Sequence, residues 1–150
     1  WLLGQAGGGA LADVLFGVVS PCGRLAETMP LRLEDNPSFG NFPGENGHVR
    51  YGEGVLVGYR WYDARKLPVA YPFGHGLTYT TFAYSGIAAT LRDDVVVVSV
   101  TVTNTGTRAG REVVQLYSGL DTSRVERAPR ELRTFALVDL EPGESRAVEL

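Results

Sequence analysis

The stretch Val95-Val96-Val97-Val98-Ser99-Val100-Thr101-Val102-Thr103 decides the fold class. Its even positions, Val96, Val98, Val100 and Val102, form one apolar row. Its odd positions end in Ser99, Thr101 and Thr103, which suit a solvated face. Successive side chains of an extended chain point to opposite faces, so this alternation predicts a half-buried strand over 95–103. The β-branched content suits the same assignment.

The pattern continues on both sides. Residues 104–110 read as a turn, with glycine at 106 and 110. Strands are predicted over 111–117 and 132–138. Glu141-Pro142-Gly143-Glu144 has proline then glycine at the central positions of a type II turn. Val148 and Leu150 begin a further strand, and 83–91 forms the first. About five strands result, where an immunoglobulin-like sandwich uses about seven. The missing ones are therefore expected beyond Leu150. The chain opens at Trp1 without an initiator methionine and stops inside a strand, so both ends read as cut.

Before residue 83 the character changes. Residues 1–30 have α/β character. Leu11, Val14, Leu15 and Val18 repeat at helical spacing, after Gly7, Gly8 and Gly9. This helix is expected to end near Gly17, with Pro21 preventing continuation. Residues 31–82 are rich in glycine and proline but also carry Tyr51, Tyr59, Trp61, Tyr62, Tyr71, Phe73, Tyr79 and Phe82. A disordered linker has few large rings, so this region is expected to be ordered loop with short strands.

Composition excludes several classes. The formal net charge is -3, with a single lysine and scattered arginines, which does not make a phosphate-binding surface. No apolar run is long enough to span a membrane. Cys22 is the only cysteine, so an internal disulfide and a cysteine-based zinc site are ruled out within the chain. Beside Pro21 and Gly23 it reads as a turn residue. His48 and His75 are the only histidines and have no paired spacing, so neither a metal site nor a Ser-His-Asp arrangement is expected. Gly7-x-Gly9-x-x-Ala12 with Glu27 fits a loose dinucleotide fingerprint. However, only 1–3 is available as the preceding strand, so the glycines are read as close packing at a helix start. No cofactor is expected.

Four stretches, taken in order, resemble one family. WLLGQAGGGALADVLFGVVSPCGRLAETMP (1–30) resembles the helix and turn near the end of the α/β-sandwich domain of family 3 glycoside hydrolases. YGEGVLVGYRWYD (51–63) resembles that family's Y-x-E-G-x-x-V-G-Y-R-x-Y-D loop. YPFGHGLTYTTFAY (71–84) resembles the F-P-F-G-x-G-L-S-Y-T-x-F segment leading out of that domain. VTVTNTGTRAGREVVQLY (100–117) and ELRTFALVDLEPGES (131–145) resemble the fibronectin type III-like domain that follows. Cys22, Ala26 and Thr78 depart from the usual Ser, Pro and Ser, at turn and packing positions.

The resemblance implies two parts. Residues 1–82 would be the carboxyl-terminal part of the α/β-sandwich domain with a loop-rich connector. Residues 83–150 would be a fibronectin type III-like sandwich, incomplete at its end. It also implies a parent retaining hydrolase of β-glucosidase type, acting on terminal non-reducing β-D-glucosyl residues of a β-glucoside or oligosaccharide. A β-xylosidase of the same family and a non-catalytic carbohydrate-binding or bracing module stand as alternatives. Such enzymes use two carboxylates about 5 Å apart. In the family the nucleophilic Asp lies on a barrel-type domain and the acid/base Glu lies upstream of the segment matching Trp1. No catalytic residue is therefore expected in this chain, and the chain alone is expected to be inactive. The compartment, cytoplasmic or secreted, and the oligomeric state stay open.

Glu45 and Glu53 lie eight residues apart in an aromatic-rich loop, but Glu53 is read as accepting backbone amides or pairing with Arg60, not as half of a catalytic pair. The functional reading of the loop places Tyr51, Glu53, Arg60, Trp61 and Tyr62 near substrate, because aromatic faces stack on sugars and Arg and Glu suit hydroxyl groups. The alternative is packing. Open strand edges predict poor solubility or partial unfolding of the isolated 150-residue chain in calorimetry; a sharp, cooperative melt of a monomer would contradict it.

Overall fold

A computed structural model describes residues 2–150. Trp1, the first residue of the stretch considered as a strand before the glycines, lies outside the described residues. The elements in chain order are α1 (Gly7–Leu15), β1 (Met29–Pro30), a 3-10 turn (Leu33–Asp35), α2 (Tyr59–Arg65), β2 (Val69–Tyr71), β3 (Phe82–Arg92), β4 (Val95–Asn104), β5 (Gly110–Ser118), β6 (Glu131–Leu140) and β7 (Ser145–Glu149). The chain is mostly sheet with few helices. Packing divides it into two compact units: residues 2–23, Gly76–Val114 and Phe135–Leu150 form the first, and Arg24–His75 with Gln115–Thr134 form the second.

Most of the predicted β-structure lies in the first unit, while residues 115–118 of β5 and 131–134 of β6 belong to the second. β3, β4 and β7 form an antiparallel sheet with β4 in the centre, and β5 pairs with β6. Val98, Val100 and Val102 are buried at 8%, 7% and 0% exposure, as the alternation predicts. Val100 and Val102 cluster with Val114, Val138, Leu140 and Val148, with Phe82, Ala136 and Leu150 packed at the margin. Fully burying one such aliphatic side chain stabilises by about 1.5–3 kcal/mol. Val96 departs from the pattern: it is exposed, as is its partner Leu91 across the hairpin. Alternation identifies the inward face of a strand but not how far along it the opposing layer reaches. Asp93 and Asp94, at φ 48° and 63°, close this hairpin in the left-handed conformation that two-residue loops require.

Asn104 ends β4 and is fully buried. Its Oδ1 accepts from Thr80 Oγ1 (2.6 Å) and from the Gly106 amide (3.0 Å). Its Nδ2 donates to the carbonyls of Arg108 (2.8 Å) and Leu140 (3.0 Å). Its own amide donates to Glu144 O, and its carbonyl accepts from Gly143 N, both at 2.9 Å. Gly106 fits here because a Cβ would run into Thr80 and the Thr81 amide. The 141–144 turn forms as expected: Glu144 N donates to Glu141 O (2.9 Å), and Gly143 sits at φ 78°.

α1 ends where the sequence indicates, with Gly17 at φ 72°. Gly7–Gly9 lie inside its first turn, not before it.

In the second unit β1 pairs with β2, matching Met29 to Tyr71. The reading of 51–63 as loop is corrected, because Tyr59–Arg65 is helical. Gly58 (φ 60°) precedes this helix and Lys66 (φ 53°) closes it in the left-handed region. Two turns built from Tyr, Arg, Trp and Tyr have little intrinsic helicity. Burial of Tyr62 and Leu56, at 5% and 1% exposure, supplies what local propensity does not.

Asn104→Ala would remove four hydrogen bonds, two of them, to Thr80 Oγ1 and the Leu140 carbonyl, buried. It is expected to destabilise the chain by about 3 kcal/mol or more in denaturant titration, well beyond the cost of an exposed Asn→Ala change.

Candidate functional site

The residues singled out in the 51–62 stretch all belong to the second unit. α2 carries Arg60, Trp61 and Tyr62, while Tyr51 and Glu53 lie on the turns before it. The helix is fixed by groups far away in sequence. Arg130 grips the Asp63 carboxylate with two nitrogens (2.7 and 3.4 Å) and lies 5.2 Å over the Tyr117 ring. Asp63 holds the Arg130 guanidinium above its ordinary pKa, first through the hydrogen bond. Tyr59 stacks on Phe73 (4.6 Å, 21°), meets the edge of Tyr117 (6.1 Å, 86°), and accepts a hydrogen bond from the Leu132 amide (2.8 Å).

Each predicted residue then has a distinct setting. Tyr51 is 83% exposed and offers a free ring face. Arg60 pairs with Glu131, Nε to Oε1 at 3.5 Å; pairing with Glu53 was one of the two alternatives the sequence left open for that carboxylate. The Trp61 ring lies under the Arg65 guanidinium at 4.9 Å. Tyr62 is buried; that burial, and secondarily the Asp35 charge, raises its phenol above the usual tyrosine range. Glu53 O accepts from the Leu56 amide (3.0 Å), holding the turn.

Three side-chain atoms here are closed to solvent and lack a hydrogen-bond partner: Glu53 Oε2, Arg60 Nε and Trp61 Nε1. A buried polar atom left unmatched costs about 1–3 kcal/mol; Arg60 Nε still has the Glu131 carboxylate at 3.5 Å, so Glu53 Oε2 and Trp61 Nε1 are the unmatched atoms of this stretch among the described residues.

The 40–50 loop forms a groove of about 550 Å³ lined by Asn41, Glu45, Asn46, His48, Val49 and Arg50 among others. Glu45 and His48 exchange backbone hydrogen bonds (3.0 and 2.9 Å) that shape the loop. Phe39 and Phe42 are exposed in the same loop. Glu45 lines the groove and Glu53 does not. The groove offers amide, imidazole, carboxylate and guanidinium groups with aromatic faces in the same loop, a set that suits hydroxyl-bearing ligands. Sequence reasoning missed Asp63, Arg130 and Glu131, because 67 residues separate the gripping pair and no local pattern links them. Among the described residues no group of three or more His, Cys, Asp or Glu side chains is placed to hold a metal ion, and no helix is long and apolar enough to cross a membrane.

A phenol with a raised folded-state pKa holds its proton more tightly in the folded chain. The stabilisation from Tyr62 is therefore whole below about pH 10 and is lost as pH climbs through the raised value. Alkaline denaturation followed by tyrosine absorbance is expected to begin there, and Tyr62→Phe should move its midpoint upward. An unchanged midpoint would remove Tyr62 from that transition.

A family profile described as the glycosyl hydrolase family 3 C-terminal domain matches residues 1–79, and one described as the fibronectin type III-like domain matches 112–150. The chain is 52% identical over 152 residues to thermostable beta-glucosidase B of Acetivibrio thermocellus, covering 99% of this chain and 20% of that protein. It is 50% identical over 151 residues to exo-alpha-(1->6)-L-arabinopyranosidase of Bifidobacterium longum, covering 100% and 20%. Among solved structures, the GH3 beta-glucosidase of Bifidobacterium adolescentis superposes with a TM-score of 0.96 at 50% identity, covering 100% of this chain and 22% of that one. Beta-glucosidase from Kluyveromyces marxianus in complex with glucose gives 0.91 at 48%, covering 95% and 17%. The chain thus spans about a fifth of the length of the curated relatives it matches.

Proposed function

Because the chain belongs to glycosyl hydrolase family 3, we propose that it supplies the family's carboxyl-terminal domain and fibronectin-like module to a retaining glycosidase. The substrate is a β-glucoside or oligosaccharide, cleaved at its terminal non-reducing β-D-glucosyl residue. The observation that carries this is 52% identity to a beta-glucosidase along essentially the whole chain. In this reading residues 1–82 end an α/β-sandwich domain and residues 83–150 form the fibronectin type III-like part. The Asp nucleophile and Glu acid/base are supplied by polypeptide outside these 150 residues.

The 39–62 stretch of the second unit is the part turned to the sugar. Tyr51 offers the stacking face. Arg60, held by Glu131, together with Glu53 and Trp61 supplies the polar groups, and Tyr62 anchors them from the core. The unmatched Glu53 Oε2 and Trp61 Nε1 atoms support a polar complement at this place.

A second reading concerns the sugar alone. The arabinopyranosidase at 50% identity favours a pentopyranoside, which lacks the exocyclic hydroxymethyl group of glucose. A β-xyloside belongs to the same class.

The test uses the isolated chain and a chimera in which it replaces the matched segment of the Acetivibrio relative. The isolated chain is expected to give no turnover of an aryl β-glucoside. The chimera is expected to hydrolyse it faster than the aryl arabinopyranoside or xyloside. Tyr51→Ala should raise KM about three- to tenfold with kcat nearly unchanged, the loss of about 1 kcal/mol of ring stacking. Hydrolysis by the repurified isolated chain would refute the placement of the catalytic pair, and an unchanged KM would remove Tyr51 from the sugar's surroundings.

A further inference from the structure

The 119–130 connection between β5 and β6 has no regular structure, yet it is tied down. In sequence it falls within the match to the fibronectin type III-like domain, residues 112–150. In the folded chain Gln115–Thr134 belongs to the second unit, together with Arg24–His75. Those residues fall within the match to the family 3 C-terminal domain. The boundary between the two matches in sequence is therefore not the boundary in space.

α2 has three charged side chains, and each is paired with the 126–131 stretch. Arg60 lies 3.5 Å from Glu131, Asp63 2.7 Å from Arg130, and Arg65 3.8 Å from Glu126. The order is antiparallel. Along α2 the signs run plus, minus, plus, and the partners from 131 back to 126 run minus, plus, minus. Exposed pairs contribute little energy singly, and Arg65–Glu126 is more than half exposed on both sides. Three in matched order fix a register, which is a geometric effect. Uncharged contacts fix it too: the Leu132 amide donates to Tyr59 Oη, and Arg130 lies over the Tyr117 ring.

Two of the pairs end on side chains that the proposed function turns to the sugar. Glu131 holds Arg60 with one oxygen, while its second takes Arg133 (3.0 Å). Glu126 holds Arg65, whose guanidinium lies 4.9 Å over the Trp61 ring. We propose that Glu126, Arg130 and Glu131, which come from the fibronectin-like part, are positioning residues for the sugar-binding stretch of the glycosidase. Glu131 orients Arg60, Glu126 orients Trp61 through Arg65, and Arg130 fixes α2 through Asp63. The proposal rests on the reading that residues 39–62 face the sugar, and adds that the fibronectin-like part sets the affinity there. Binding groups act through their exact placement, so side chains that hold them act at one remove.

Steady-state kinetics of the chimera with the Acetivibrio relative tests it, on an aryl β-glucoside well below the melting temperature. Glu131→Gln keeps the side chain's size and removes its charge. It is expected to raise KM about three- to tenfold with kcat within about twofold, the pattern of a lost uniform binding contact. Glu126→Gln, at an exposed position where folding is not at risk, should raise KM about twofold. Asp63→Arg and Arg130→Asp should each raise KM about fivefold, and the two combined should bring it back to within about twofold of the starting value. Arg111→Gln is the control. It breaks a two-nitrogen grip on Asp139 (2.8 and 3.0 Å) in the other unit and is expected to leave KM unchanged. An active chimera whose KM is unmoved by the Glu131 and Glu126 variants would overturn the proposal and leave the glycosidase reading standing, even if the melting temperature falls. An equal rise of KM in Arg111→Gln would overturn it as well, because the effect would then be general loosening. A chimera without hydrolysis removes the glycosidase reading and this proposal with it.

Discussion

The β-sandwich depends on one buried side chain. Asn104 closes four hydrogen bonds with its amide, two as acceptor and two as donor, and two more with its backbone. These bonds join the end of β4 to the 78–81 segment, to the 105–110 turn, to the end of β6 and to the turn before β7. Four separate chain segments are thereby placed around one residue at 0% exposure. A buried amide is tolerated because every donor and acceptor is matched, and such a network specifies one arrangement more strictly than apolar packing does. Aspartate has no donor for the Leu140 carbonyl, and leucine has no polar group at all. The valine core supplies most of the apolar burial, and Asn104 determines how the strand ends meet.

The second unit is organised by the opposite device, a charged and aromatic stack near its surface. Arg130 reaches Asp63 and lies over Tyr117, whose edge meets Tyr59, which in turn lies on Phe73. Exposed ion pairs contribute little on their own, but a two-nitrogen grip backed by a ring has a defined geometry. Its effect is positional. It holds a two-turn helix that would not persist alone and so sets where Arg60, Trp61 and Tyr62 stand. Trp61 Nε1 in this helix and Glu53 Oε2 in the turn before it are buried without a hydrogen-bond partner among the described residues.

Uncovered apolar surface tells the same story in the first unit. Leu11 and Leu15 of α1 and the Leu91–Val96 end of the β3–β4 hairpin are built to the pattern of buried elements yet stand exposed. Hydrophobic pattern is a property of local sequence, whereas cover is a property of whatever else folds against it.

That distinction separates what was legible in the residues from what was not. The alternation at 95–103, the Pro142-Gly143 turn, the helix stop at Gly17 and the ordered motifs from Trp1 to Ser145 carry their information within short windows, because strand period, turn geometry and glycine conformation are local. From these alone the β-rich architecture and the family follow. The structure corrected one local reading, since α2 replaced a predicted loop where tertiary burial of Tyr62 overrode weak helix propensity, and it chose between alternatives at Arg60, which pairs with Glu131. It also supplied what no window contains, namely the Asp63–Arg130 grip across 67 residues and the convergence of four segments on Asn104. Side-chain pattern determines which face of an element is apolar; only the folded chain decides which distant groups meet it, because that choice depends on how segments far apart in sequence close on one another.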